Sequence, residues 1–220
     1  MNHDHSIPCR AWLLCGVFLL ASPSLWAGPM GFKDSTMLMG DFSSNWRELW
    51  VNYAVTPRDA LGVGTLYMRN DDETIDRDLT ELTYTRLVKR WNFPHAQANI
   101  WLPVGVGEIR GNDFSGSKTV FTPGVQLDYE TQRIYVATSY RAYQANDINH
   151  DFSSARAGFS FYEAGYEETQ PWLIVEARRI HDLSDDTEIT PMLRLINKRY
   201  FVELGYSNMH EARFNLMYIF

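Results

Sequence analysis

Beyond residue 27 the chain has no cysteine, because Cys9 and Cys15 both fall earlier. Residues 28–220 therefore form no disulfide, hold no metal through thiolates and offer no cysteine nucleophile. Nor is there an apolar run of about 20 residues, the length that a membrane-spanning helix requires. Clustered lysine and arginine are also missing: 20 basic residues stand against 27 acidic ones, a formal net charge of −7. A phosphate-binding surface needs the opposite balance, which argues against nucleic acid as a partner. Histidine is scarce past the leader, at His95, His150, His181 and His210 only. The glycines between Gly105 and Gly116 follow a strand pattern but open no helix, so they cradle no phosphate, and no cofactor is expected.

Residues 1–27 read as an export signal. Arg10 supplies the positive start, residues 11–21 form a short apolar run, and Leu25-Trp26-Ala27 ends on a small residue suited to cleavage. A lipoprotein reading through Cys15 is disfavoured by bulky Leu14 before it and by the apolar run that continues past it. Residues 28–220 are expected to form one domain.

What fills that domain is alternation. About twelve segments place apolar residues at every second position, at residues 35–42, 46–55, 60–69, 80–90, 96–109, 119–129, 133–144, 154–163, 172–181, 188–196, 199–207 and 212–220. In the segment 80–90, Leu82, Tyr84 and Val88 share a face with Arg86 and Arg90, a conflict that a β-bulge would remove. Longer connections (70–78, 111–117, 146–151, 182–187, 208–211) take turns with tight ones (56–59, 92–95, 131–132, 169–171, 197–198).

The last segment organises the rest. Ala212, Phe214, Leu216, Tyr218 and Phe220 fall on one wholly apolar face of a strand that ends on an aromatic and a free carboxylate. It resembles the C-terminal assembly signal of bacterial outer-membrane β-barrels. That resemblance implies an antiparallel up-and-down transmembrane barrel of about twelve strands in the outer membrane of a Gram-negative bacterium. It also implies short turns toward the periplasm, and partners that include outer-membrane lipid, lipopolysaccharide and the assembly machinery, which would engage Phe214, Leu216, Tyr218 and Phe220.

Alternation alone does not say which face is inside, and a soluble barrel with an apolar core has the same period. Two features favour the membrane. Twelve staves enclose more space than inward side chains fill easily. The apolar faces also begin or end in Tyr53, Tyr67, Tyr129, Tyr200, Tyr206 and Phe220, as interfacial girdles require. The other face then lines a lumen that carries Glu48, Arg156, Glu176, Arg178, Arg194, Glu203 and Arg213, with Trp50, Trp101, Tyr135, Tyr162 and Phe201 among them. Charges at such positions either pair across strands and fix register or form a selective constriction.

Three functions remain open. The first is a narrow passive channel or transport-accessory barrel for small solutes or ions. The second is an outer-membrane hydrolase using His181 or His210; Ser207, His210 and Glu211 are the nearest approach to a triad, though their spacing matches no motif. The third is a structural or surface-binding barrel that meets ions, lipopolysaccharide or protein through acidic loops such as Asp71-Asp72-Glu73. Met37 and Met39 could face a soft metal ion, but thioethers at alternate strand positions ordinarily pack.

Overall fold

The computed structural model describes residues 28–165, 167–184 and 186–220; the leader, residues 1–27, lies outside them. Among the described residues there are thirteen strands: β1 (Thr36–Phe42), β2 (Trp46–Ala54), β3 (Asp59–Arg69), β4 (Asp76–Phe93), β5 (Ala96–Gly111), β6 (Ser117–Phe121), β7 (Gly124–Thr131), β8 (Ile134–Ala145), β9 (Ile148–Ser160), β10 (Gln170–His181), β11 (Glu188–Asn197), β12 (Tyr200–Tyr206) and β13 (Ala212–Ile219). β6 and β7 make one stave between β5 and β8, interrupted at Thr122-Pro123, where proline brings no N–H to the ladder. Every pairing is antiparallel, and β1 closes on β13 from Met37↔Ile219 to Phe42↔Phe214. The result is a closed up-and-down barrel of twelve staves, the number expected from the segment count. Among the described residues every stave has a paired neighbour on both sides, β6 meeting β8 only at Phe121↔Gln144, and closure of this kind is a condition that lipid imposes because it offers backbone groups no partner.

The conflict in the fourth segment resolves as a bulge. Leu87 pairs with Trp101 and Lys89 with Ile100, so Val88 is extra and the faces exchange beyond it. Arg86, before the bulge, stays outside with Leu82 and Tyr84 and is bonded to Asp59 at 2.7 Å, whereas Arg90, beyond it, turns inward and donates to Asn99 Oδ1 at 2.7 Å. Two connections differ from expectation. Residues 146–147 form a two-residue hairpin with Asp147 at φ 62°, because β9 starts at Ile148 rather than in the middle of a loop. Conversely β9 stops at Ser160, and residues 161–165 and 167–169 lie outside the strands on the rim of the chain ends, the rim shared by residues 28 and 220. Tyr162 therefore lies beyond the strand, 47% exposed, and is not a lumen residue.

The barrel is inside out relative to a soluble one. Along β11, Glu188, Thr190 and Arg194 are buried while Ile189, Leu193 and Leu195 are 40–46% exposed. Leu61, Val63, Leu82, Val106, Val136 and Val175 continue this exposed apolar belt on other staves. Soluble monomers rarely expose so large a contiguous apolar surface, and no such belt survives contact with water around a whole circumference. Exposed Tyr53, Phe93, Tyr129, Tyr200 and Phe220 lie toward the rim of the chain ends, and Tyr206 toward the opposite rim, as at the two interfaces of a bilayer.

Candidate functional site: the lumen

The two halves of the lumen are built from different side chains. On β9 to β13 the inward positions hold long charged residues, and the register sets them opposite one another: Arg156↔Glu176, Arg178↔Glu188 and Arg194↔Glu203. Glu203, 0% exposed, accepts from Arg194 Nε at 2.6 Å, Arg156 Nη2 at 2.6 Å and Asn215 Nδ2 at 2.7 Å. Arg194 also lies 4.7 Å over the Tyr135 ring and 4.9 Å over that of Phe201. Arg213 holds Glu176 at 2.9 Å and grips both oxygens of Asp41, at 2.5 and 3.0 Å. Arg178 pairs with Glu188 and donates to Ser43 at 3.1 Å. Four arginines thus meet four carboxylates in a wall with no net charge. Below it, toward the chain ends, Met37, Trp172, Ile174, Met192, Phe201 and Met217 pack as an apolar layer, and Met39 leans on the same layer.

On β3 and β5 the inward positions at mid-height are small. Gly62 and Gly64 on β3 and Gly105 and Gly107 on β5 face inward among Glu81, Thr83 and Thr85 on β4. A cavity of about 140 Å³ opens beside Gly64, Glu81, Thr83 and Thr85. Gly105 is required: a Cβ would stand 2.2 Å from Glu81 and 2.4 Å from Thr122. Glu81 accepts from Thr122 Oγ1 and Arg141 Nη2, each at 2.5 Å, and Glu48 lies 3.8 Å from Arg141 Nη1. Trp50 is a neighbour in the same cavity.

Both ends of this half are covered. Toward the chain ends residues 28–31 turn up into the barrel: Met30 packs with Ala54, Ala60, Leu87 and Trp101, and Asn52 Nδ2 donates to the Pro29 carbonyl at 2.9 Å. Trp101 Nε1 and Asn99 Nδ2 donate to Asp128 at 2.7 and 2.6 Å, which anchors the ring against which this floor rests. Toward the other rim Trp46, Leu66, Met68, Leu79, Ile109 and Tyr143 form an apolar roof. Above the roof, Arg77 pairs with Asp113 at 2.7 Å, and this hydrogen-bonded cation holds the Asp113 carboxyl below its ordinary value.

All seven charges singled out in the sequence face inward. Glu48 lies on the cavity side and the other six in the wall. Sequence reasoning missed Asp41, on the seven-residue strand β1, and the Glu81–Arg141 pair, whose glutamate lies in the segment left in conflict by Arg86 and Arg90. Phe214, Leu216, Tyr218 and Phe220, the residues expected to act as an assembly signal, all point outward. The histidines form no triad among the described residues. Ser207 Oγ accepts the backbone N–H groups of Met209 and Glu211, each at 3.3 Å, in a turn where His210 has φ 64°. His150 stacks on Tyr143 with ring centres 4.6 Å apart, and His181 bonds Asp151 at 2.7 Å on the outer face. The acidic loop after β3 is folded on itself: Asn70 Oδ1 accepts from Thr74 and Ile75 N–H, each at 2.9 Å. Among the described residues no group of three or more His, Cys, Asp or Glu could hold a metal.

A closed antiparallel barrel with a lipid-facing belt, aromatic rims and sealed-in charges is an outer-membrane β-barrel. No protein-family model matches the chain, and no curated protein does. Among solved structures, the KdgM porin shares 14% identity at a TM-score of 0.48, over 84% of this chain and 98% of that one. The same porin in complex with disordered oligogalacturonate gives the same values. A loop-deleted OmpT, an outer-membrane protein of Vibrio cholerae, shares 9% at a TM-score of 0.30, over 84% and 97%. The assignment to the barrel class rests on the chain's own geometry.

Proposed function

We propose that the protein is a narrow passive channel for small polar solutes or ions across the outer membrane, with its path through the β2 to β5 half of the lumen. The observation that carries this reading is the cavity of about 140 Å³ at mid-height, walled by Glu48, Glu81 and Arg141 on one side of a fixed ion-pair wall. The wall excludes water from its half and gives the path one rigid side; the wall charges Arg156, Glu176, Arg178, Arg194, Glu203 and Arg213 act mainly through that rigidity. Glu48 sets selectivity at the surface of the path. The floor of residues 28–31 and the apolar roof are the two gates, since hydrophobic constrictions stop conduction by dewetting.

The rim with both chain ends faces the periplasm in this reading, and the belt meets lipid and lipopolysaccharide. Planar-bilayer recording on purified, heat-modifiable protein tests the channel: stable steps of conductance support it, and silence after both gates have been loosened removes it. A second reading, a structural barrel that never conducts, is favoured by the covered ends, and the same silence would establish it. Phe214, Leu216, Tyr218 and Phe220 serve delivery in either case. Truncation of Phe220 is expected to lower the amount of heat-modifiable protein in outer-membrane fractions without changing the properties of molecules that do assemble; full recovery of the truncated chain would count against an assembly role.

A further inference from the structure

The cavity differs from the opposite wall in its charge balance. In the wall, four guanidinium groups face four carboxylates. In the cavity Glu48 and Glu81 share one, that of Arg141, and the sharing is unequal. Arg141 Nη2 is 2.5 Å from Glu81 Oε1, while its Nη1 is 3.8 Å from Glu48 Oε1. Glu81 is held again by Thr122 at 2.5 Å. Glu48 is thus the carboxylate that Arg141 holds more weakly, with Trp46 as a further donor and 26% of its side chain open.

A surplus carboxylate alone would mean little, but the cavity has other features of a built site. Thr83 and Thr85, 8% and 0% exposed, line it with hydroxyls that bond to no protein atom. Trp50 Nε1–H and Arg141 Nε–H likewise have no protein partner. The rings of Trp46, Trp50 and Tyr143 form part of the same lining. Buried polar groups are normally paired, so donors and acceptors left together around one space are matched to something that enters it.

We propose that this cavity binds a small protonated amine carrying a hydroxyl group, with Glu48 as counter-ion, and that it makes the lumen selective for such cations. The binding half stands on the cavity alone; the selectivity half rests on the channel reading above. An ammonium group satisfies the surplus charge, donates to the carboxylate and the threonine hydroxyls, and gains from the aromatic faces. The hydroxyl oxygen of the ligand accepts from Trp50 or Arg141. Anions meet two carboxylates. A divalent ion finds too few oxygens and an adjacent guanidinium in place of a second free carboxylate. The volume limits size: a cavity of about 150 Å³ is one that takes up benzene, so short amino alcohols fit and oligosaccharides do not.

Ethanolamine hydrochloride is the probe. Isothermal titration of the whole folded chain after residue 27, in detergent, is expected to show saturable binding of ethanolamine and none of glycerol. Glu48→Gln should weaken the affinity at least tenfold, and Thr85→Val should weaken it severalfold while preserving shape. Equal binding of glycerol and ethanolamine, or unchanged affinity in both variants, would overturn the proposal. Should Glu48→Gln fail to reach the heat-modifiable state, Thr85→Val carries the test. Under an ethanolamine hydrochloride gradient in a planar bilayer, the reversal potential should be that of a cation-selective path and shift toward zero in Glu48→Gln. Binding without conductance upholds the site and removes the channel; conductance without ethanolamine binding upholds the channel and overturns the site.

Discussion

Replacing Glu203 by glutamine is expected to destabilise the folded barrel by about 3–5 kcal/mol, the cost of breaking a buried ion pair from one side. Glutamine keeps the volume, so the loss is electrostatic and leaves no cavity to blame. Glu203 is wholly buried and is the shared acceptor of Arg156, Arg194 and Asn215. Without its charge two guanidinium groups remain in a dry wall with the Glu176 carboxylate 3.6 Å from Arg156 as the nearest compensation. The gel-mobility transition temperature and a denaturant titration both read the effect. Glu48→Gln supplies the contrast: it removes a carboxylate held at 3.8 Å beside open space and should cost little. Equal losses in the two variants would contradict the division of the lumen into a structural wall and a wet path.

Removing residues 28–31 is expected to raise single-channel conductance several-fold, because the floor is the constriction nearest the cavity. The staves begin at Thr36, so every ladder hydrogen bond of the barrel survives the deletion. What is lost is Met30 from its pocket among Ala54, Ala60, Leu87 and Trp101, together with the bond from Asn52 to the Pro29 carbonyl. A transition temperature close to that of the parent, with larger conductance steps, is the expected pair of results. Unchanged steps would place the constriction at the roof of Trp46, Leu66, Met68 and Tyr143.

Why so much of this molecule is legible in its sequence follows from period two. In β10 to β13 alternation runs unbroken and the faces of Glu176, Arg178, Arg194, Glu203 and Arg213 can be read by counting. Register then does the rest, since neighbouring strands carry opposite signs at facing positions. Counting fails where the period slips. The extra residue at Val88 exchanges the faces of β4 beyond it, so that Arg90, which counting places beside Leu82 and Arg86, turns inward. It fails again at strand ends, where Tyr162 continues the alternation of β9 on paper after the strand has stopped. The floor was invisible for a different reason: residues 28–31 have no periodicity, and only the small residues Ala54 and Ala60 hint that something lies against them. The cavity is lined from several strands at once, by Glu48 and Trp50 of β2, Gly64 of β3, Thr83 of β4 and Arg141 of β8, a pattern that no single segment displays.

The central claim is that the apolar face of each strand meets lipid and the charged face meets an enclosed lumen. Because residues 28–220 lack cysteine, single cysteines placed at Val63, Val106 and Leu173 on one face, and at Glu48 and Gly64 on the other, report without background. Gly64 has room for the side chain, its nearest neighbour being 3.7 Å from an added Cβ. In liposomes, fluorophores at Val63, Val106 and Leu173 should be quenched by brominated lipid and shielded from water-soluble quenchers, while those at Glu48 and Gly64 should be insensitive to the lipid. The reverse pattern, with lipid quenching at Glu48 and Gly64 and aqueous quenching at Val63, Val106 and Leu173, would contradict the account.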